Sequence, residues 1–343
     1  MAKILGKSAL KLSEKTLLCT GTNGFLGSWV VGLVAYLNEH LLPKPCRLIG
    51  IDQKIPEAKL VKHYALFNIE FRSHDLSTKL WPLAEKIDFV VHMAGIASPH
   101  HYKKRPLETI DVCLEGVRSA LEIARHSGAK FMFTSSSEVY QTAETIPTPE
   151  TYVGAIASNN ERSCYDVSKL MGENLVYVYA NNLGVDAVTT RIFNSFGPGI
   201  AENDYRILPR IASSIVGGHD LSVFVKEQQP TRTYCPTGNT IAGLFMALLN
   251  GKTGEIYNIG CDNPEVSVLE LLEIIEKQIG QRVPRKVVSP VDVYLDEPLR
   301  RCPDITKARK ELGYSPDISL ELGIDLFFKW ALPRYTGRIA DDR

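Results

Sequence analysis

Tyr165 and Lys169 stand four residues apart in a segment of helical character, so both side chains project from one face. An ammonium beside a phenol stabilises the phenolate and draws the tyrosine down from its ordinary value of about 10. Such a tyrosine can take the proton of an alcohol while the carbon beneath gives up hydride. Aromatic and lysine residues also share helix surfaces with no chemical task, so the pair gains meaning only from its surroundings. Ser136, in the run Ser135-Ser136-Ser137-Glu138, is suited to share that alcohol's hydrogen bond and complete a Ser/Tyr/Lys set. Serines there also serve simply to turn a strand into a loop. Glu138 is harder to explain as structure, because a carboxylate beside a cleft costs desolvation unless it has a task or a partner.

Hydride needs an acceptor, and one stretch is built to hold it. The apolar run from Leu17 breaks into Gly21-Thr22-Asn23-Gly24-Phe25-Leu26-Gly27 and restarts as a helix. Gly21 permits a tight turn, Gly24 lets the backbone approach a pyrophosphate, and Gly27 lets the helix pack on its strand. The free N–H groups and positive end of that helix then hold the anionic linkage, with Asn23, Phe25 and Leu26 in the same turn. Arg47 to Ile51 reads as a second strand ending at Asp52. A carboxylate there accepts hydrogen bonds from both ribose hydroxyls and repels a 2′-phosphate, which selects NAD over NADP. Asp75 and Leu76 follow the strand Ile69–Ser73 and could meet the adenine edge; Asp75 equally suits the cap of a helix beginning near Ser77. Met93 and Ala94 follow the buried strand Asp88–His92, where small residues let a cofactor lie close.

These residues must be positioned by strands alternating with helices. Helices are expected over Phe25–Leu42, Leu107–His126 and Ser163–Asn182, with further strands at Lys130–Thr134 and Val185–Phe193. That alternation predicts an α/β fold, a doubly wound parallel Rossmann-like sheet whose ligands sit at the carboxyl ends of the strands. Beyond Asn194 the texture changes, with Gly197-Pro198-Gly199 as a break and frequent prolines after it. Residues 1–195 are therefore read as the NAD-binding domain, with 237–260 returning to its sheet. Residues 196–236 and 261–343 are read as a smaller substrate-binding region.

The 39 basic and 39 acidic side chains cancel, so neither nucleic acid nor an anionic membrane is expected as a partner. Seven scattered cysteines show no metal-ligand spacing and suit reduced thiols in the cytoplasm. The first fifteen residues carry several lysines and no long apolar block, so neither a secretory signal nor a membrane span is expected.

The glycine turn, the Tyr165/Lys169 pair and Arg191-Ile192-Phe193-Asn194-Ser195-Phe196-Gly197-Pro198 together resemble the extended short-chain dehydrogenase/reductase family that acts on nucleotide sugars. Within it the chain most resembles the UDP-glucuronate decarboxylases, the UDP-xylose synthases. Four stretches carry that resemblance: Ala97-Ser98-Pro99-His100-His101-Tyr102, Ser136-Ser137-Glu138-Val139-Tyr140, Arg162-Ser163-Cys164-Tyr165-Asp166 and Arg301-Cys302-Pro303-Asp304-Ile305. Where nucleotide-sugar 4,6-dehydratases place an Asp before the Glu, this chain has Ser137, and many 4-epimerases lack the Glu.

The resemblance implies a redox-neutral cycle: oxidation at C4 of the glucuronate ring, loss of CO2 from the resulting β-keto acid, and return of hydride to C4, giving a UDP-pentose. It gives Tyr165 the role of base, Lys169 and Ser136 those of its helpers, and Glu138 and Arg301 the carboxylate and the protonation at C5. It places Pro99, Tyr102, Ser137, Asn194, Arg232 and Arg301 against the nucleotide sugar. A homodimer through the helices 107–126 and 163–182 is likewise implied. The chain departs from the family pattern at Cys113 (usually Asn), Gln141 (usually Gly), Gly199 (usually Arg) and Asn159-Asn160-Glu161. Two other readings stay open here: C4 epimerisation or 4-keto reduction of another nucleotide sugar, and a non-catalytic NAD-binding scaffold.

Overall fold

The computed structural model describes residues 1–79, 84–224, 229–288 and 298–338. Seven strands form the central sheet: β1 (Thr16–Thr20), β2 (Arg47–Asp52), β3 (Ile69–Ser73), β4 (Phe89–His92), β5 (Lys130–Ser136), β6 (Ala187–Ile192) and β7 (Ile256–Ile259). Their order is β7-β6-β5-β4-β1-β2-β3, with every neighbouring pair parallel. This is the expected doubly wound sheet. Helices cover both faces, so the strands carry continuous apolar runs; Leu17, Leu18 and Cys19 of β1 are all wholly buried. Strand order reverses between β1 and β4, which opens a crevice at their carboxyl ends.

Five helices place the chemistry: α1 (Phe25–His40), α2 (Pro99–Lys104), α3 (Pro106–Ser127), α4 (Ser163–Leu183) and α5 (Thr237–Asn250). Helix α3 starts on Pro106, whose ring pre-sets the first helical φ, and stops at Gly128, which takes the left-handed conformation at φ 64°. Helix α4 ends the same way on Gly184. Where a helix is expected to begin near Ser77, residues 76–78 form a turn instead, and residues 80–83 lie outside the described residues.

A second apolar cluster, with Phe196, Leu208, Ile211, Leu271, Leu272, Ile324 and Phe327, lies under the helices Ile207–Gly217, Val268–Ile279 and Leu320–Ala331. Beside it the strand Thr231–Thr233 pairs with Glu265–Ser267 and with Arg300–Arg301. One stretch differs from expectation. Ile305, Ala308, Leu312 and Tyr314, expected in the smaller region, belong to the apolar cluster of the main sheet with α5. The reason is geometric: β7 lies at the sheet's edge, and the helix Thr306–Leu312 is what covers it and α5.

Helix α4 meets β5 through Gly172, where an added Cβ would stand 2.5 Å from Cζ of Phe133. Gly172→Ala is expected to destabilise the fold by about 1–3 kcal/mol through overpacking; urea unfolding with an unchanged m-value reads it.

Candidate active site

A cleft of about 620 Å³ opens at the switch point, and its floor is the glycine turn. Gly21 holds φ 77°, and an added Cβ would lie 2.8 Å from the Ala94 nitrogen. A Cβ on Gly27 would fall on the Gly21 carbonyl, so only glycine lets α1 descend onto β1. No side chain caps the first turn of α1. Its N–H groups face the cleft beside Asn23, Gly24, Phe25 and Leu26, a cradle shaped for a diphosphate. Asp52 closes one end, its Oδ2 accepting the Asn23 N–H at 2.9 Å. Asp75 and Leu76 line the same end. Asp75 also caps its own turn, accepting from the Ser77 N–H at 3.0 Å and hydroxyl at 2.7 Å, which holds its carboxyl below the usual range. Met93 and Ala94 form the wall opposite, tied to β1 through the Thr20 hydroxyl. These residues fit a dinucleotide with an unphosphorylated ribose.

The catalytic candidates meet at the other end. Tyr165 is buried and hydrogen-bonded to Ser136. Its ring lies parallel to that of Tyr102, centroids 5.2 Å apart, and the Tyr102 hydroxyl is buried with no hydrogen-bond partner. Lys169 sits below, its Nζ 5.8 Å from the Tyr165 ring centroid and donating to the Thr134 carbonyl at 2.8 Å. Burial works against the expected acidification of Tyr165 by Lys169. Burial pushes the phenol well above its ordinary value, with the Ser136 hydrogen bond opposing it, and burial pushes Lys169 down. The ammonium gives one of its hydrogen bonds to a backbone carbonyl, and burial biases both groups away from their charged forms.

Glu138 lies between two guanidiniums, with Arg301 on Oε1 and Arg162 on Oε2. Burial raises its carboxyl, but Arg301 and Arg162 outweigh that and hold it below its usual value. Arg301 also reaches the Ser137 hydroxyl at 3.3 Å and the Gln141 carbonyl at 3.5 Å. The strand end carrying these serines is braced by the buried pair Arg191–Glu173, bidentate at 2.9 and 2.7 Å, with Ser135 donating to Glu173.

Pro99, Tyr102, Ser137 and Asn194 line the cleft. Two residues expected against the substrate are absent from the cleft lining among the described residues. Arg301 pairs with Glu138, which does line it. Arg232, beside it on the neighbouring strand, donates to the Thr231 and Leu299 carbonyls and does not line the cleft among the described residues. Arg162 does line it, as do Asp204 and Arg206, which pair with each other. Sequence reasoning did not single these out: Arg162 lies inside a quoted motif, whereas Asp204 and Arg206 lie in a loop with no spacing signal. That loop is pinned over the cleft by Ser98 to the Asp204 carbonyl and by His101 to the Asn203 carbonyl.

The departures also have places. The Cys113 thiol donates to the Ser168 carbonyl at 3.1 Å, filling the contact between α3 and α4. Gly199 holds φ 94°, beside Ser28, Trp29 and Phe25 at the start of α1. Gln141 holds φ 50° and ψ −132°, with its side chain on Asp166.

Residues 17–260 match the NAD dependent epimerase/dehydratase family. The chain is 32% identical over 323 residues to UDP-glucuronic acid decarboxylase 1 of Arabidopsis thaliana, covering 93% of this chain and 69% of that protein. It is 32% identical over 315 residues to UDP-glucuronic acid decarboxylase 1 of Xenopus tropicalis, covering 91% and 71%. Among solved structures it is similar to UDP-glucuronic acid 4-epimerase from Bacillus cereus in complex with UDP-glucuronic acid and NAD, with a TM-score of 0.79, 26% identity and coverage of 93% and 100%. With the glycine cradle, the switch-point cleft and these matches together, the chain belongs to the NAD dependent epimerase/dehydratase family.

Proposed function

We propose that the protein is an NAD-dependent decarboxylase of UDP-glucuronate, forming a UDP-pentose through a 4-keto sugar. The observation that carries this reading is the Arg162–Glu138–Arg301 clamp, whose Glu138 and Arg162 line the same cleft as the Ser136/Tyr165/Lys169 set. A plain alcohol oxidation needs the second group only, whereas a substrate bearing a carboxylate gives the first a purpose. The decarboxylase relatives supply the same substrate class.

NAD+, when bound, supplies the hydride acceptor and a ring cation that favours the phenolate. Tyr165 takes the C4 hydroxyl proton, with Ser136 sharing that hydrogen bond and Lys169 compensating the phenolate from below. The C4 carbonyl is then β to the C6 carboxylate. The electrons of the breaking C5–C6 bond pass into a C4–C5 enolate as CO2 leaves. Glu138 and its guanidiniums set the charge around that carboxylate and govern the proton that returns to C5. Tyr165 returns its proton to the C4 oxygen as C4 is reduced.

The exposed face of α4, with Leu170, Met171, Tyr177 and Val178 between 38% and 59% accessible, supports a homodimer through α3 and α4. Among the described residues no helix is long and apolar enough to cross a membrane. Seven free cysteines, six of them buried, suit a reducing compartment such as the cytoplasm.

Purified protein with UDP-glucuronate and NAD+ is expected to release CO2 and yield a UDP-pentose by mass; a product of unchanged mass would replace decarboxylation with epimerisation. Tyr165→Phe is expected to lower kcat by about 10²- to 10⁴-fold, with NAD affinity from fluorescence titration nearly unchanged. Leu170→Asp with Met171→Asp is expected to turn a dimer into a monomer in light scattering.

A further inference from the structure

Behind the clamp lies a second carboxylate that the reaction above does not use. Asp166 on α4 is 1% exposed. Its Oδ1 is buried without a hydrogen-bond partner, and its Oδ2 accepts from Gln141 Nε2 at 2.7 Å and faces Arg162 Nε at 3.8 Å. Arg162 is thus shared between two carboxylates, Glu138 in the cleft and Asp166 behind it. Gln141 reaches Asp166 only by holding φ 50° and ψ −132°, a conformation glycine adopts freely and other residues rarely. Backbone strain of that kind persists where the side chain has a task.

We propose that Asp166, held by Gln141, is a positioning residue that sets the net charge of the Glu138–Arg162–Arg301 clamp and thereby its attraction for the substrate's carboxylate. The inference rests on UDP-glucuronate being the substrate. With both carboxylates ionised, two negative charges cancel two guanidiniums. With Asp166 protonated, one positive charge remains beside the sugar. The groups facing Asp166 are Glu138 and Gln141 from the turn after β5, Arg301 from the strand Arg300–Arg301, Tyr102 from α2, and Arg162, Cys164 and Tyr165 from its own helix. Burial raises Tyr102, Tyr165 and Cys164, so they stay neutral below neutral pH. Burial, then the Glu138 charge, pushes the Asp166 carboxyl up to about 6, against the Gln141 hydrogen bond and the two guanidiniums. Glu138, held low, stays ionised throughout. The clamp is therefore neutral above about pH 6 and gains a positive charge below it.

The test is titration calorimetry of the NADH-loaded protein, which holds no hydride acceptor and so does not turn the sugar over, across that pH with UDP-glucuronate and, as the sugar without a carboxylate, UDP-glucose. The UDP-glucuronate Kd is expected to fall roughly 3- to 10-fold as pH drops from about 7 to about 5, with UDP-glucose flat. Asp166→Asn is expected to abolish that dependence. Gln141→Gly removes the hydrogen bond that favours ionised Asp166, so the transition is expected to move up by roughly one pH unit. Gly also relieves the φ 50° strain, so thermal stability is expected to hold; a purely structural Gln141 would instead lower it and leave the transition in place. Asp166→Asn keeping the wild-type profile would overturn the proposal. A flat profile alongside intact CO2 release would remove this inference alone, whereas a pH-dependent Kd without CO2 release would remove the decarboxylase reading alone.

Discussion

Glu138, half-buried at the mouth of β5, keeps its charge there because two guanidiniums reach it from separate parts of the chain. Arg162 is the residue before α4, and Arg301 comes from a two-residue strand paired with Thr231–Thr233. An ionised carboxylate taken from water without such partners would shift its pKa and lose its charge. Its charged state therefore depends on contacts from distant segments of the chain. Arg301 is held in turn by pairing with the strand that carries Arg232 and by reaching the Ser137 hydroxyl and the Gln141 carbonyl. Removing one partner would leave an uncompensated charge in the wall of the cleft, so the site depends electrostatically on segments distant in sequence.

The opposite end of the cleft works by a different constraint, close backbone approach. Gly21 touches the β4 turn at Ala94, and Gly27 lets α1 rest on the Gly21 carbonyl. Any side chain at either position would push the helix start away from the strand end, and with it the donors that meet a diphosphate. Between the two ends, Tyr165 and Lys169 are both driven by burial toward their neutral forms. A cationic ring held beside the phenol would favour its phenolate, tying proton transfer to the presence of the cofactor.

The residues that depart from the family pattern are placed to alter the surroundings of the reaction rather than its centre. Cys113 answers the Ser168 carbonyl from α3, and Gly199 leaves the start of α1 without a side chain of its own above it. Gln141 is the departure with electrostatic consequence, because its amide joins the turn after β5 to a buried carboxylate on α4.

The amino-acid sequence by itself determined the sheet, the cradle and the identity of the Tyr165/Lys169 pair. Those features are local: a run of apolar residues buried on both faces, glycines demanded by backbone contact, and a four-residue helical spacing. Asp52 and the strand boundaries were legible for the same reason. Only the tertiary structure decided what each charge meets. Arg162 and Arg301 lie 139 positions apart, as their numbers show, yet share one carboxylate. No spacing rule announces that Lys169 turns to the Thr134 carbonyl, that Arg232 stays off the cleft, or that Asp166 loses a partner on one oxygen. Burial and long-range pairing fix protonation and direction, and both exist only once distant segments have packed together.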